Sequence, residues 1–203
     1  MTDQDSVSLS KQDLRRRLRR ARRDHAASLD PRVAALVLSR PPAPLKALIP
    51  ADATIGLYCA ARGEAPAHGY ARHFHEAGHV VALPWFAARG AAMEFRRWQS
   101  PWLDDCLVPG PYGVAQPPDE AAMLTPDVLI VPLVGFTARG ARLGQGGGHY
   151  DRWLAAHGDA VAVGLAWDCQ LVDDLPNDPH DRGLTAVITP TRLFGPFDPA
   201  DHG

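Results

Sequence analysis

The residues best suited to chemistry lie in RLGQGGGHYDRWL, residues 142–154. Four glycines within five positions let the main chain come close to another group. A helix starting just behind them offers free N–H groups and partial positive charge, a combination that favours phosphate. Arg142 adds a planar guanidinium fork that suits phosphate oxygens. Asp151 would repel a phosphate unless a cation lay between them, so it is a candidate Mg²⁺ ligand. It also reads as a first-turn acid favourable to the helix dipole. The common nucleotide motifs do not fit: there is no G-x-x-x-x-G-K-[ST], and His149 stands where a G-x-G-x-x-G fingerprint needs its third glycine. On spacing alone, a tight turn without a ligand explains three adjacent glycines equally well.

The elements that must position this turn can be read from the pattern. Residues 10–26 predict a helix with Ser10 as N-cap and Asp13 at the capping-box position. Eight of the chain's 21 basic residues fall between Lys11 and Arg23. Lys11, Arg15, Leu18 and Arg22 share one face, so Lys11 and Arg15 can enter a site together. Arg16, Arg19, Arg20 and Arg23 read as a solvated face, and residues 1–9 as disordered. A second helix begins at Asp30-Pro31. Beyond a Pro-rich loop, strands are expected at 54–59, 79–84, 127–132, 160–167 and 185–190. Residues 94–98 read as an edge strand and 185–190 as the last strand. Helices are expected at 66–77 and 149–157, with a Pro-rich traverse over 100–126. Alternating strands and helices predict one α/β domain over residues 1–203: three layers, a largely parallel open Rossmann-like sheet, and N-terminal helices covering the site. The glycine turn follows the most apolar strand, at the carboxyl end where such sheets bind ligands.

Composition narrows the class without naming a reaction. A chain of 203 residues, 46% hydrophobic and 22% charged, fits one soluble globular domain. Cys59, Cys106 and Cys169 match no metal or redox spacing, as in a reducing compartment. No apolar run is long enough for a bilayer, and MTDQDSVSLS lacks the layout of a secretory signal, so a cytoplasmic protein is expected. His68, His73, His75 and His79 form no convincing zinc set, because Gly78 interrupts the helix that could align the last two.

The stretch FTARGARLGQGGGHYDRWL (136–154) closely resembles the signature of the 5-formyltetrahydrofolate cyclo-ligase family, of the form P-x-x-x-F-D-x-x-G-x-R-L-G-Y-G-G-G-Y-Y-D-R-x-L. The likeness extends to Lys11, Leu14 and Arg15 near the N-terminus, to Glu64, and to Leu83-Pro84 with Met93 and Phe95. A tail pattern is met by Gln170, Val172, Leu175, Pro176, His180, Asp181, Ile188 and Thr189. Four positions depart from the family: Thr137, Gln145, His149 and Thr185.

The resemblance implies an ATP-dependent ligase that converts 5-formyltetrahydrofolate to 5,10-methenyltetrahydrofolate, releasing ADP and phosphate. It assigns catalysis to Arg142, Tyr150 and Asp151. ATP binding falls to Lys11, Arg15, Arg142, Leu143, Gly144, Gln145, Gly146, Gly147, Gly148, His149 and Tyr150. Folate binding falls to Cys59, Glu64, Tyr112, Gln145 and His149, and Mg²⁺ to Asp151 and Asp181. A monomer that binds neither nucleic acid nor membrane is expected. Read without the resemblance, Asp181 is a turn residue, Glu64 an exposed acid before a helix and Tyr112 a core aromatic. Two alternatives stay open on the residues alone: a folate- or nucleotide-binding relative without turnover, and a nucleic-acid-binding protein using the basic helix.

Overall fold

The computed structural model describes residues 10–176 and 182–197. Helix α1 spans Lys11–Ser28, and the Ser10 hydroxyl accepts the Asp13 N–H at 3.2 Å as the capping pattern requires. Asp30 caps the short helix α2 (Pro31–Leu36), and α3 is Ala43–Lys46. The chain then lays down β1 (Ile55–Gly56), α4 (His68–Glu76), β2 (Val81–Trp85) and β3 (Glu94–Arg97). Short strands β4 (Val108–Pro109), β5 (Ala115–Gln116) and β6 (Met123–Leu124) punctuate the Pro-rich traverse. Next come β7 (Val128–Pro132), a hairpin of β8 (Gly135–Phe136) and β9 (Arg142–Leu143), and α5 (His149–Ala156). Strands β10 (Val161–Leu165), β11 (Ala186–Ile188) and β12 (Leu193–Phe194) complete the sheet.

The main sheet has eight strands in the order β12-β11-β10-β7-β1-β2-β3-β6. The five strands from β11 to β2 run parallel, with antiparallel pairings outside them. Chain order reverses between β1 and β7, and such a switch point opens a crevice at the carboxyl ends of the strands. Alternation along the strands fills both faces. Val128 and Ile130 of β7 join Tyr70 and Phe74 of α4 on one side. Leu129 and Val131 join Trp153 and Leu154 of α5 on the other. The three-layer expectation therefore holds.

Four local expectations change. Residues 94–98 do not form the sheet edge, because Met123–Leu124 pairs outside them. Residues 185–190 are not the last strand, since β12 folds back onto β11. Ladder pairing in the 54–59 stretch is confined to Ile55 and Gly56, after which the chain turns into the crevice. Among the described N-terminal helices only α1 covers the site; Leu38 after α2 and Leu45 within α3 pack in the core with Tyr70 and Phe74 of α4. Residues 1–9 lie outside the described residues.

Helix α1 docks through Leu14 and Leu18, which bury against Val134 and Leu143 of the hairpin. Burial of each leucine is worth about 1.5–3 kcal/mol. Gly135 makes the approach possible, since a Cβ there would stand 2.6 Å from Leu18 Cδ1.

Candidate active site

Helix α1, the hairpin and the start of α5 enclose a cavity of about 760 Å³. Lys11 and Arg15 from α1 line one wall, and Arg142, Leu143, Gly144–Gly148, His149, Tyr150 and Asp151 line the other. Arg15 lies along the turn and donates from Nε to the Gly144 carbonyl at 2.9 Å. Gly148 closes the turn at φ 63°, a left-handed conformation costly for a residue with a Cβ, and serves as N-cap of α5. Helix and glycines thus present main-chain donors to a cavity bordered by four cationic side chains, Lys11, Arg15, Arg142 and Arg152, which suits a polyphosphate.

Arg142 is 8% exposed. Its Nη2 donates to Asp151 Oδ1 at 2.5 Å and its Nε to the Arg182 carbonyl at 3.0 Å. The acid the sequence placed beside a phosphate site is therefore charge-balanced by an arginine of the same signature. Asp181 lies outside the described residues. Among the described residues, no group of three or more His, Cys, Asp or Glu side chains could hold a metal ion. A Mg²⁺ that arrives on phosphates needs only one or two carboxylates, and Asp151 fits that donor set.

A second cavity of about 540 Å³ adjoins the first. Pro132, Gln145, Gly147, His149 and Tyr150 line both. Its apolar walls come from Phe86, Met93 and Tyr112, and Cys59 and Glu64 also face it. Phe86, Tyr112 and His149 meet edge to face with centroids 4.8–5.3 Å apart. Gln116 holds Phe86 by both main-chain groups, each at 3.2 Å.

Glu64 sits in this apolar cavity with its side chain 7% exposed. Arg22 reaches it from α1 at 3.3 Å and also donates to the Leu133 carbonyl at 3.0 Å. The Ala61 N–H donates to Glu64 Oε2 at 2.9 Å, and the Gln145 amide donates to Oε1 at 2.8 Å. A buried carboxylate held by an arginine is a stronger recognition element than the exposed acid the local sequence suggests.

Burial, reinforced by Glu64, pushes the Tyr150 phenol well above the ordinary tyrosine range, with Arg142 opposing. Its hydroxyl keeps its proton and can donate to developing charge between the cavities. Burial and the Arg152 cation lower the His149 imidazole. Arg152 Nη2 stands 3.1 Å from His149 Nδ1. A guanidinium only donates, so Nδ1 accepts and the ring proton sits on Nε2.

Fifteen of the sixteen site residues expected from the sequence thus line these two cavities, Asp181 being the exception. Arg19 was expected in solvent, yet it donates from Nε to Gln145 Oε1 at 2.8 Å and from Nη2 to the Gln145 carbonyl at 2.6 Å. Phe86, Gln116 and the Arg22–Glu64 pair were not foreseen. For Phe86 a signal existed: it directly follows the carboxyl end of β2, where open sheets bind ligands. Trp98 and Trp153 are core residues.

Fold and site together define a doubly wound α/β protein whose crevice holds a glycine-lined cationic chamber beside an apolar one. More particularly, the chain belongs to the 5-formyltetrahydrofolate cyclo-ligase family, whose family model matches residues 7–190. The 5-formyltetrahydrofolate cyclo-ligase of Escherichia coli (strain K12) is 51% identical over 70 residues, 34% of this chain and 38% of that protein. That of Mycolicibacterium smegmatis (strain ATCC 700084 / mc(2)155) is 33% identical over 122 residues, 58% of this chain and 63% of that protein. The matched stretches span less than two thirds of either relative. The NMR structure of Aquifex aeolicus 5,10-methenyltetrahydrofolate synthetase has a TM-score of 0.73 with 26% identity, covering 94% of each chain. A 5,10-methenyltetrahydrofolate synthetase from Mycoplasma pneumoniae shares the fold, with a TM-score of 0.63 at 21% identity over 89% of this chain and 98% of that one.

Proposed function

We propose that the protein converts 5-formyltetrahydrofolate and MgATP to 5,10-methenyltetrahydrofolate, ADP and phosphate. The observation that carries this reading is the shared wall between the cationic and apolar cavities, because two bound substrates must meet across it. The formyl oxygen attacks the γ-phosphorus and ADP leaves. N10 then attacks the formyl carbon and the phosphate departs with the former formyl oxygen, while the N10 proton is released. Phosphoryl transfer depends mainly on positioning and charge neutralisation. No side-chain nucleophile is needed.

In this reading Lys11, Arg15, Arg142 and the Gly144–Gly148 main chain hold the triphosphate, beside Leu143, Gln145, His149 and Tyr150. Asp151 would hold the Mg²⁺ that accompanies ATP, and the cation would supply charge neutralisation at the transferred oxygens; Asp181 belongs to the same expectation. Glu64 accepts two N–H bonds from the amino-pyrimidine edge of the pterin, and Cys59, Tyr112 and His149 border the ring. The Tyr150 hydroxyl donates toward the oxygen on which charge develops.

Two departures from the family signature support turnover over a purely binding role, because their side chains support main chain outside both cavities. Thr137 Oγ1 accepts the Arg139 and Ala141 N–H groups at 3.3 and 3.2 Å, closing the hairpin turn. Thr185 Oγ1 accepts the Ala162 N–H at 3.3 Å. The use of Arg15, Arg19 and Arg22 within the fold weighs against a nucleic-acid surface. A monomer in a reducing cytoplasm is part of the reading, supported by cysteines without metal or redox spacing. No helix among the described residues is long and apolar enough to cross a membrane.

The test is to mix the purified protein with 5-formyltetrahydrofolate and MgATP and follow the near-ultraviolet absorbance of the methenyl product. A rise that needs both ATP and divalent metal is expected. Binding of both substrates without any rise would leave the non-catalytic relative as the correct reading.

A further inference from the structure

Gln145 stands on the glycine turn and lines both cavities. Its side-chain amide donates to Glu64 Oε1 at 2.8 Å, while Arg19 grips its side-chain and main-chain oxygens at 2.8 and 2.6 Å. Glu64 Oε1 also accepts Arg22 Nη1 at 3.3 Å, and Oε2 accepts the Ala61 N–H at 2.9 Å.

Each carboxylate oxygen offers about two acceptor sites. Oε1 is therefore full and Oε2 has one site left. A flat heterocycle with two parallel N–H donors needs one site on each oxygen, so one donor must leave Oε1. Arg22 is 4% exposed and anchored on the Leu133 carbonyl, whereas Gln145 is exposed. The Gln145 amide is the donor that can leave.

What holds it there is Arg19. Bonds from a guanidinium to anionic oxygens are stronger than those to neutral amides. Arg19 Nη2 already reaches the main chain of the glycine turn at the Gln145 carbonyl, 2.6 Å away, so a polyphosphate seated on Gly144–Gly148 competes with Gln145 for Arg19.

We propose that Gln145, gripped by Arg19, couples the two cavities: polyphosphate draws Arg19 away, the Gln145 amide leaves Glu64, and Oε1 opens to the pterin edge. The proposal rests on the folate and ATP reading above and deepens it. Binding of the two substrates is then cooperative and, by linkage, reciprocal. Arg19 acts only through Gln145 and is a positioning residue.

The test is calorimetric titration with 5-formyltetrahydrofolate, with and without a non-hydrolysable MgATP analogue. In the wild type the analogue is expected to tighten folate binding by about fivefold or more, within the usual range of coupling between sites. Gln145→Ala should bind folate alone about fivefold more tightly, the order of one hydrogen bond, and the analogue should then change its affinity by less than about twofold. Arg19→Ala should move both quantities in the same direction, and in steady-state kinetics both variants should lower the folate KM more than they change kcat when ATP is well below saturation, with the KM difference closing as ATP saturates. Persistent coupling in Gln145→Ala, or a wild type without coupling, would overturn the proposal. A wild type that binds neither ligand would instead refute the functional reading on which it rests. Both side chains lie at the surface, and circular dichroism checks that each variant is folded.

Discussion

Arg142 Nη2 and Asp151 Oδ1 stand 2.5 Å apart, joining the two ends of the glycine turn by an ion pair whose arginine side chain is 3% exposed and whose aspartate is 27% exposed. The pair resolves the apparent conflict of an acid inside a phosphate-type cavity, because the guanidinium offsets the carboxylate charge. It also orients Asp151 at the first turn of α5, where the helix dipole favours an anion. Arg142 is held in turn by the Arg182 carbonyl, so the ion pair fastens the turn to the segment that leads into β11.

Asp151→Asn keeps an acceptor for Arg142 but removes the charge that a cation needs. We expect metal-dependent turnover to be lost, with a decrease of a few degrees in the thermal midpoint. Wild-type rates at saturating Mg²⁺ in this variant would eliminate the metal role.

Lys11 lines the phosphate-type cavity, whereas Arg20 is 81% exposed and faces Asp24 at 3.6 Å. Lys11→Ala should therefore raise the KM for ATP by about tenfold or more, the order of a hydrogen bond to a charged group. Arg20→Ala should leave it within about twofold. Equal effects in parallel ATP titrations would mean that the face assignment of α1 is wrong.

Gly135→Ala tests how α1 is held. The new methyl would meet Leu18 in a packed cluster, and such overpacking costs about 1–3 kcal/mol. Denaturant unfolding should register that loss. The KM for ATP should rise with it, since Lys11 and Arg15 ride on the displaced helix. A destabilised variant with unchanged KM would show that α1 docking does not position the cations.

Tyr150→Phe removes a donor that burial keeps protonated. Loss of one donor to developing charge costs roughly 10²-fold in kcat, so kcat should fall by about that factor while the thermal midpoint stays within a few degrees. An unchanged kcat would remove Tyr150 from the chemistry.

His149 gives a pH signature. Its folded pKa lies below the ordinary imidazole value, first because burial disfavours the cation and then because Arg152 repels it. The native state therefore binds fewer protons than the unfolded chain below pH 6.5. Its contribution to stability is complete above that pH and is lost as pH falls toward the folded pKa. His149→Phe should lose less of its thermal midpoint than the wild type between pH 7.5 and 5.5. The lowered His73 remains in both proteins and cancels in the comparison. Parallel melting curves across that range would contradict the assignment.

Much of the scaffold is legible in local patterns. Ser10 and Asp13 announce α1, Asp30-Pro31 announces α2, and the runs at 127–132 and 160–167 mark the neighbouring strands β7 and β10, because caps and periodicity act over a few residues. The edges are less legible. Met123–Leu124 and Leu193–Phe194 are two-residue strands whose pairing comes from neighbours elsewhere in the chain. The hairpin of β8 and β9 was likewise hidden inside the glycine signature.

By itself the sequence determined the layer architecture, the family likeness and nearly every residue that lines the glycine-walled cavity, since these follow from residue type, spacing and order. Only the tertiary structure decided how those residues divide and pair. Arg22 meets Glu64 across 42 positions, Gln145 meets Glu64 across 81, and Arg19 meets Gln145 across 126. No local signal carries such contacts. Arg19 and Arg20 are neighbours of the same type, and periodicity read both as solvated. What separates them is where α1 lands on the sheet, and that is set by Leu14, Leu18 and the missing side chain of Gly135.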